Sequence, residues 1–278
     1  MKIYAVKING LCNPVGYDFE IPLCSWKVQG IKGKKSLWTQ ISVALDEEFQ
    51  QIVWDKKGNL NSYGEVLDFS LRPHTRYYFK VTVCSDLEEI LQSEVNYFET
   101  AKREEPWQAK WIGVSEGDTH PEFQKVFRTD KKIKSARLYI CGLGIFEASI
   151  NGNKVGNDLL APFINDYEEH FQYCTYDITG LLKEENTISV LLGDGWYRGH
   201  FGLGEPTHYD KPYALICELR ITYVDGSVET ISTDNDWSYR KSFTTLSDIY
   251  NGETQDYFGW QEKNWKQAVL IPSPGRLC

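Results

Sequence analysis

Hydrophobic and polar residues alternate most clearly between Phe146 and Leu192, and the rest of the chain is read outward from that stretch. Phe146, Ala148 and Ile150 are separated by Glu147 and Ser149, the period of two that turns one face of a strand toward a core. Asn151-Gly152 follows, a two-residue hairpin turn of the kind that needs positive φ, and Lys154 and Val155 begin the return strand. A polar loop over 156–168 leads to a third strand over 171–178, ended by Asp177 and Thr179. A fourth, over 188–192, feeds a long loop over 193–211. If each strand reverses the one before, both loops lie at one end of the sheet. Asn157, Asp158, Asn165, Asp166 and Tyr167 are therefore expected to face Asp194, Trp196, Tyr197, Arg198, His200, His208 and Asp210 across one rim.

The same period recurs on both sides of this stretch. Short strands around Glu20 and over 37–44, 51–54, 77–83 and 97–100 are punctuated by Gly, Asn and Pro at the spacing of a β-sandwich, with Trp26 as its core indole and Trp54 as a strand residue. Lys102-Arg103-Glu104-Glu105-Pro106 is charged and closes on a proline that cannot sit inside a central strand, which marks a linker. Beyond it come strands over 123–129, 135–141 and 213–223, the last pairing through Asp225-Gly226 with 227–233. No amphipathic helix longer than three turns is expected, and 178–184 has room for a single turn. The predicted organisation is all-β: a sandwich over 1–104, a jelly-roll sandwich over 105–272, and the start of a further linker over 273–278. Gly193-Asp194-Gly195-Trp196-Tyr197-Arg198-Gly199 is expected to make a sharp bend, not to open a helix.

Composition narrows the chemistry. A formal net charge of −9 and a pI near 5.2 argue against nucleic acid or an anionic membrane as partner, since both call for clustered Lys and Arg. Seven cysteines without a CxxC pair, five of them (Cys24, Cys84, Cys141, Cys174, Cys217) within apolar runs, read as buried free thiols. Met1 leads directly into a strand pattern with no apolar leader, so the expectation is a cytoplasmic chain without a membrane span.

The predicted rim mixes carboxylates, amides, one Arg and aromatic rings, a set suited to a neutral sugar, whose hydroxyls need donors and acceptors and whose apolar face needs a ring. Asn165, Asp166, Tyr167, Asp194, Trp196, Tyr197 and Arg198 are the sugar-binding candidates. Asn157, Asp158 and Asp210 are candidate ligands for calcium, which takes six to eight oxygens. The alternative reading is architectural: turn-forming Asp and Asn, aromatics capping a core, Asp194 and Arg198 as an ion pair, and Trp196 with Tyr197 and Phe201 as an apolar contact surface. His200 and His208, eight apart in a loop, match no metal motif and read as solvated or hydrogen-bonded. Asp166, Asp194 and Asp210 lack a cleft of the sort glycoside hydrolysis needs.

Two sets of motifs carry resemblances. Leu71-Arg72-Pro73-His74-Thr75-Arg76-Tyr77 resembles the tyrosine corner of fibronectin type III domains, where a Tyr entering a late strand bonds back to the preceding bend. The series INGNKVGNDLLAP, NDY, QYCTYDITGLL, NTISVLLGDGWYRGHFG and DIYNGETQD resembles the N-terminal region of bacterial α-L-rhamnosidases of glycoside hydrolase family 78. That resemblance implies a fibronectin-like spacer followed by a carbohydrate-binding-module-like domain, which in some members binds L-rhamnose with the help of calcium. It also implies that catalysis belongs to a separate (α/α)6 barrel, so the expected chain hydrolyses nothing by itself. It would either hold a terminal rhamnose or brace the catalytic domain, and its expected partners are a rhamnose-containing carbohydrate and that domain.

Overall fold

A computed structural model describes residues 2–200, 202, 208, 210–260 and 264–277. It divides the chain into two compact units, Met1–Pro106 and Trp107–Cys278.

In the first unit Lys2–Ile8, Leu23–Gln29 and Glu65–Val66 make one sheet. The other runs in the order Val15–Tyr17, Asn96–Thr100, Arg76–Ser85, Ser36–Ala44, Ile52–Gly58, with Ile90–Gln92 also paired to Arg76–Ser85. Alternate side chains fill the space between the sheets: Ile3, Cys24 and Trp26 from one, and Ile41, Val43, Phe79, Val81 and Phe98 from the other. Trp54 packs against the edge of this core. Tyr77 is fully buried, and its hydroxyl accepts a hydrogen bond from the Arg72 backbone N–H at 2.8 Å. This is the bond the tyrosine-corner pattern predicts.

The second unit is also a sandwich. One sheet has the order Cys174–Asp177, Ile133–Leu143, Ala214–Tyr223, Ile112–Gly113, Val269–Leu270, with Val228–Ser232 paired to Ala214–Tyr223. The other has the order Asn153–Lys154, Ile145–Ile150, Glu185–Gly193, Pro121–Arg128, Ser238–Lys241, Lys266–Gln267. Leu138, Ile140, Leu219 and Ile221 from the first meet Phe123, Ala148, Ile150, Ile188 and Val190 from the second in a single core. The predicted hairpin is present: Asn151 and Gly152 both have positive φ, 53° and 77°.

The expectation that successive strands reverse within one sheet is corrected. Ile145–Ile150 pairs directly with Glu185–Gly193, whereas the intervening Cys174–Asp177 pairs with Ile133–Leu143 across the sandwich. A period of two tells which side chains are buried but not which sheet buries them. The crossing between sheets begins at Gly144, between Leu143 and Ile145. Its φ is 109°, and a Cβ there would sit 2.1 Å from the Gly193 carbonyl oxygen, so only glycine fits.

Cys24, Cys84, Cys141 and Cys217 are buried free thiols, Cys174 is half-buried and Cys12 exposed. Burial pushes the Cys24 thiol up to about 12, which keeps it protonated and unreactive at neutral pH. At the other end of the chain, the Phe171 backbone N–H donates to the Arg276 carbonyl at 2.7 Å, and Leu277 bridges Phe171 in parallel.

Candidate functional site

The Glu185–Gly193 strand delivers the 193–199 segment to the rim, where it departs from the expected bend. Gly195–Arg198 forms one helical turn, closed by the Arg198 N–H donating to the Asp194 carbonyl at 3.0 Å. Gly195, with φ 54°, lies so close to Gly144 that a Cβ would come 2.4 Å from the Gly144 carbonyl carbon. The two glycines let the turn sit directly on the sheet crossing.

This packing buries Asp194, which is 2% exposed. Its carboxylate pairs with His120 Nε2 at 3.0 Å and accepts from Arg198 Nε at 3.0 Å and from the Tyr213 hydroxyl at 2.7 Å. The Arg198 guanidinium lies over the Tyr213 ring, 3.9 Å from its centroid. Burial works to raise the Asp194 carboxyl pKa. The hydrogen bonds from His120, Tyr213 and Arg198, together with the charge of His120, more than offset it and hold the group below the usual carboxylate range. The result is a compensated internal charge.

Tyr197 is buried in a second, smaller cluster with Trp111, Cys141, Leu143, Phe171, Ala214 and Ile216. Tyr167 comes from the other predicted loop and meets Tyr197 edge to face with centroids 5.3 Å apart. Lys211 Nζ lies 4.9 Å from the Tyr197 centroid. Burial pushes the Tyr167 hydroxyl up to about 12. The two loops therefore do meet, through these two rings. Trp196 is half-buried, and Phe201 lies outside the described residues.

The remaining candidates are placed differently. Asn165 is buried and closes its own loop: Nδ2 donates to the Phe163 carbonyl at 2.6 Å, and Oδ1 accepts from the Gln172 N–H at 3.1 Å. Asp166 is exposed, and its backbone carbonyl accepts from the N–H groups of Glu169 and His170. Asn157 and Asp158 are exposed near the start of the same loop, and Asp158 lines a groove with Phe146, Glu147 and Lys154. Asp210 is exposed and adds negative potential at Tyr197. Among the described residues no three His, Cys, Asp or Glu side chains are grouped as a metal site would require.

Three residues outside the predicted rim complete the arrangement. His120 and Tyr213 close the Asp194 network, and Asp248 ties the second loop down. Asp248 Oδ1 accepts from the Tyr250 and Asn251 N–H groups, both at 2.9 Å; Oδ2 accepts from the His200 N–H at 3.1 Å and pairs with His200 Nδ1 at 3.0 Å. The Asp248-Ile249-Tyr250-Asn251-Gly252 run carries the signature of a side-chain-closed turn. Nothing in the sequence around His120 announces its partner 74 residues away.

The fold and this region together define a pair of β-sandwich modules whose buried rim carboxylate, Asp194, serves an internal network. Residues 131–274 match the α-L-rhamnosidase N-terminal domain, and residues 3–104 match the Rha78A-like N-terminal immunoglobulin domain. The chain belongs to the α-L-rhamnosidase N-terminal domain family.

An α-L-rhamnosidase of Formosa agariphila is 27% identical over 301 residues, covering 95% of this chain and 32% of the relative. The α-L-rhamnosidase structure from Dictyoglumus thermophilum superposes with a TM-score of 0.83 at 30% identity, over 100% of this chain and 35% of that one. The Aspergillus terreus enzyme gives a TM-score of 0.88 at 25% identity, over 98% and 34%. The chain thus spans about a third of the length of these relatives, and what it matches is their N-terminal, non-catalytic part.

Proposed function

We propose that this chain is the N-terminal accessory region of an α-L-rhamnosidase-type enzyme, and that its second unit is a docking module for the rest of such an enzyme. One observation carries this reading. Along the 157–170 loop Leu159 is 80% exposed and Phe163 74%, with Leu160 and Ile164 about half exposed beside them. Four large apolar side chains within six residues are costly to leave in water, and such patches mark contact surfaces. The polar candidates in the same region support docking over a sugar-binding rim, because Asn165, Asp194 and Arg198 spend hydrogen-bonding groups inside the fold.

The test is a Leu159→Ser, Phe163→Ser double variant, made both in this chain and in an enzyme of the relatives' length built on it. The short form is expected to keep its unfolding midpoint, since exposed substitutions shift stability by about 0.5 kcal/mol or less. The long form is expected to unfold at lower temperature and to lose activity on an aryl α-L-rhamnoside. A long form with unchanged midpoint and activity sinks the proposal.

A further inference from the structure

At Leu159 and Leu160 the docking surface runs into a groove of about 330 Å³, the small end of the roughly 300–1,000 Å³ of small-molecule sites and the scale of one long inserted side chain. Phe146 and Leu191, both half-buried, give it an apolar lining. One wall is the loop at 158–160, pinned to the sheet where the Phe146 N–H donates to the Ala161 carbonyl at 2.7 Å. The other is the hairpin of Thr244–Asp248 and Gly252–Gln255. A period of two puts Glu253 and Gln255 on one face of this hairpin, opposite Ser247 and Thr244, and all four line the groove.

The polar lining is rich in acceptors. Glu147, Asp158 and Glu253 bring three carboxylates against a single ammonium, and that ammonium, Lys154 Nζ, is taken up by Glu147 at 2.8 Å. Among the described residues neither Asp158 nor Glu253 is ion-paired. Gln255 donates to Glu253, and its own side-chain carbonyl accepts from the Tyr257 hydroxyl at 2.9 Å, so Glu253 is oriented before anything enters. Phe243 adds an aromatic plane, held by a stack on Tyr257 with centroids 4.7 Å apart and by the edge of Trp260.

Thr244 is an independent pointer. It is 3% exposed, and its Oγ1 has no hydrogen-bond partner among the described residues. Buried hydroxyls are almost always paired, and an unpaired one asks for an explanation. A donor seated fully in the groove would complete it.

These features together select one chemical group. A guanidinium carries five N–H donors and no acceptor, matches carboxylates in a planar fork and stacks on aromatic faces. We infer that the groove receives an arginine side chain of the polypeptide that docks on Leu159 and Phe163. Its N–H groups donate to Glu253, Asp158 and Thr244 Oγ1, and its plane lies on Phe243. The inference rests on the docking reading for the source of the arginine, while the chemistry of the groove stands by itself. Lysine fits less well, because a point charge on a flexible stem makes neither the fork nor the stack.

The test has two arms. In the first, Nα-acetyl-L-arginine amide, its lysine counterpart and the uncharged citrulline isostere are titrated into this chain and followed by backbone amide NMR shifts. The arginine compound is expected to bind with a Kd on the order of millimolar and to shift Thr244, Glu253 and Gln255, the lysine compound to bind about tenfold more weakly, and citrulline more weakly still. Thr244→Val is expected to weaken arginine binding about tenfold without lowering the unfolding midpoint, and Glu253→Gln to weaken it at least as much. In the second arm, Glu253→Gln is expected to lower the unfolding midpoint of an enzyme of the relatives' length and to leave that of the short chain unchanged. The inference is overturned if the arginine compound does not bind, if lysine binds equally, or if both variants bind as the unaltered chain does. A long form destabilised by Leu159→Ser, Phe163→Ser but not by Glu253→Gln keeps the docking surface and overturns the arginine. Arginine binding by the short chain, with a long form indifferent to all these substitutions, overturns the docking reading and with it the arginine's source. Self-association of the short chain that Glu253→Gln abolishes would make a second copy the occupant and overturn the inference as well.

Discussion

Arg198 donates from Nε to Asp194 Oδ1 at 3.0 Å while its guanidinium lies over Tyr213, whose hydroxyl donates to the same oxygen at 2.7 Å. One carboxylate thus fixes the helical turn, the start of the Ala214–Tyr223 strand and, through His120, the approach to Pro121–Arg128. Removing it takes away the carboxylate that faces the buried Arg198 and His120.

Asp194→Ala is therefore expected to cost about 3–5 kcal/mol, the usual penalty for breaking a buried ion pair from one side. Urea unfolding followed by tryptophan fluorescence measures it. A loss within the range of an exposed substitution would mean that water reaches Arg198 and His120 freely.

The same carboxylate gives the fold an acid limb. Its folded pKa is depressed below the unfolded value of about 3.9. Its contribution is therefore complete above that value and is lost as pH falls through the folded one. Asp118, held low despite partial burial by Lys266 and the Tyr239 hydroxyl, acts in the same direction. The unfolding midpoint is expected to fall as the pH drops below about 4, and to fall less steeply in Asp194→Asn. Parallel acid limbs in the two proteins would contradict this.

In the first unit, Tyr77→Phe keeps the buried ring but removes the acceptor for the Arg72 N–H. An unsatisfied backbone donor costs about 1–3 kcal/mol. Thermal unfolding should show this loss. An unchanged midpoint would mean that solvent replaces the hydroxyl without penalty.

Gly144→Ala places a methyl group 2.1 Å from the Gly193 carbonyl oxygen at a φ of 109°. Strain and overpacking together are expected to cost about 3 kcal/mol or more. Gly152→Ala, also at positive φ but with nothing within 4 Å, should cost clearly less. Equal losses in the two variants would show that conformation, not contact, sets the cost at Gly144.

The contrast between what the sequence discloses and what it withholds follows from distance along the chain. Asn151-Gly152, the alternation of Ala148 and Ile150, and Tyr77 five residues beyond its Arg72 partner are local, and all three are readable from neighbours. The helical turn at Gly195–Arg198 is not legible locally because Gly195 serves a contact with Gly144, which is remote in sequence. His120 and Tyr213 escaped for the same reason: a buried carboxylate recruits partners by proximity in space. Tyr167 and Tyr197 meet ring to ring, whereas Asn165 and Asp194 close a loop and an internal network. Polar side chains look alike in sequence whether they serve a ligand or the backbone.

The bridge from Leu277 to Phe171 has a consequence for assembly. In a longer chain, whatever follows Leu277 sets out from the same loop region that carries Phe163 and Ile164. Its encounter with that patch is then intramolecular, at an effective concentration on the order of millimolar for a short tether. Under such confinement a small apolar contact that would be too weak between separate molecules can remain occupied most of the time.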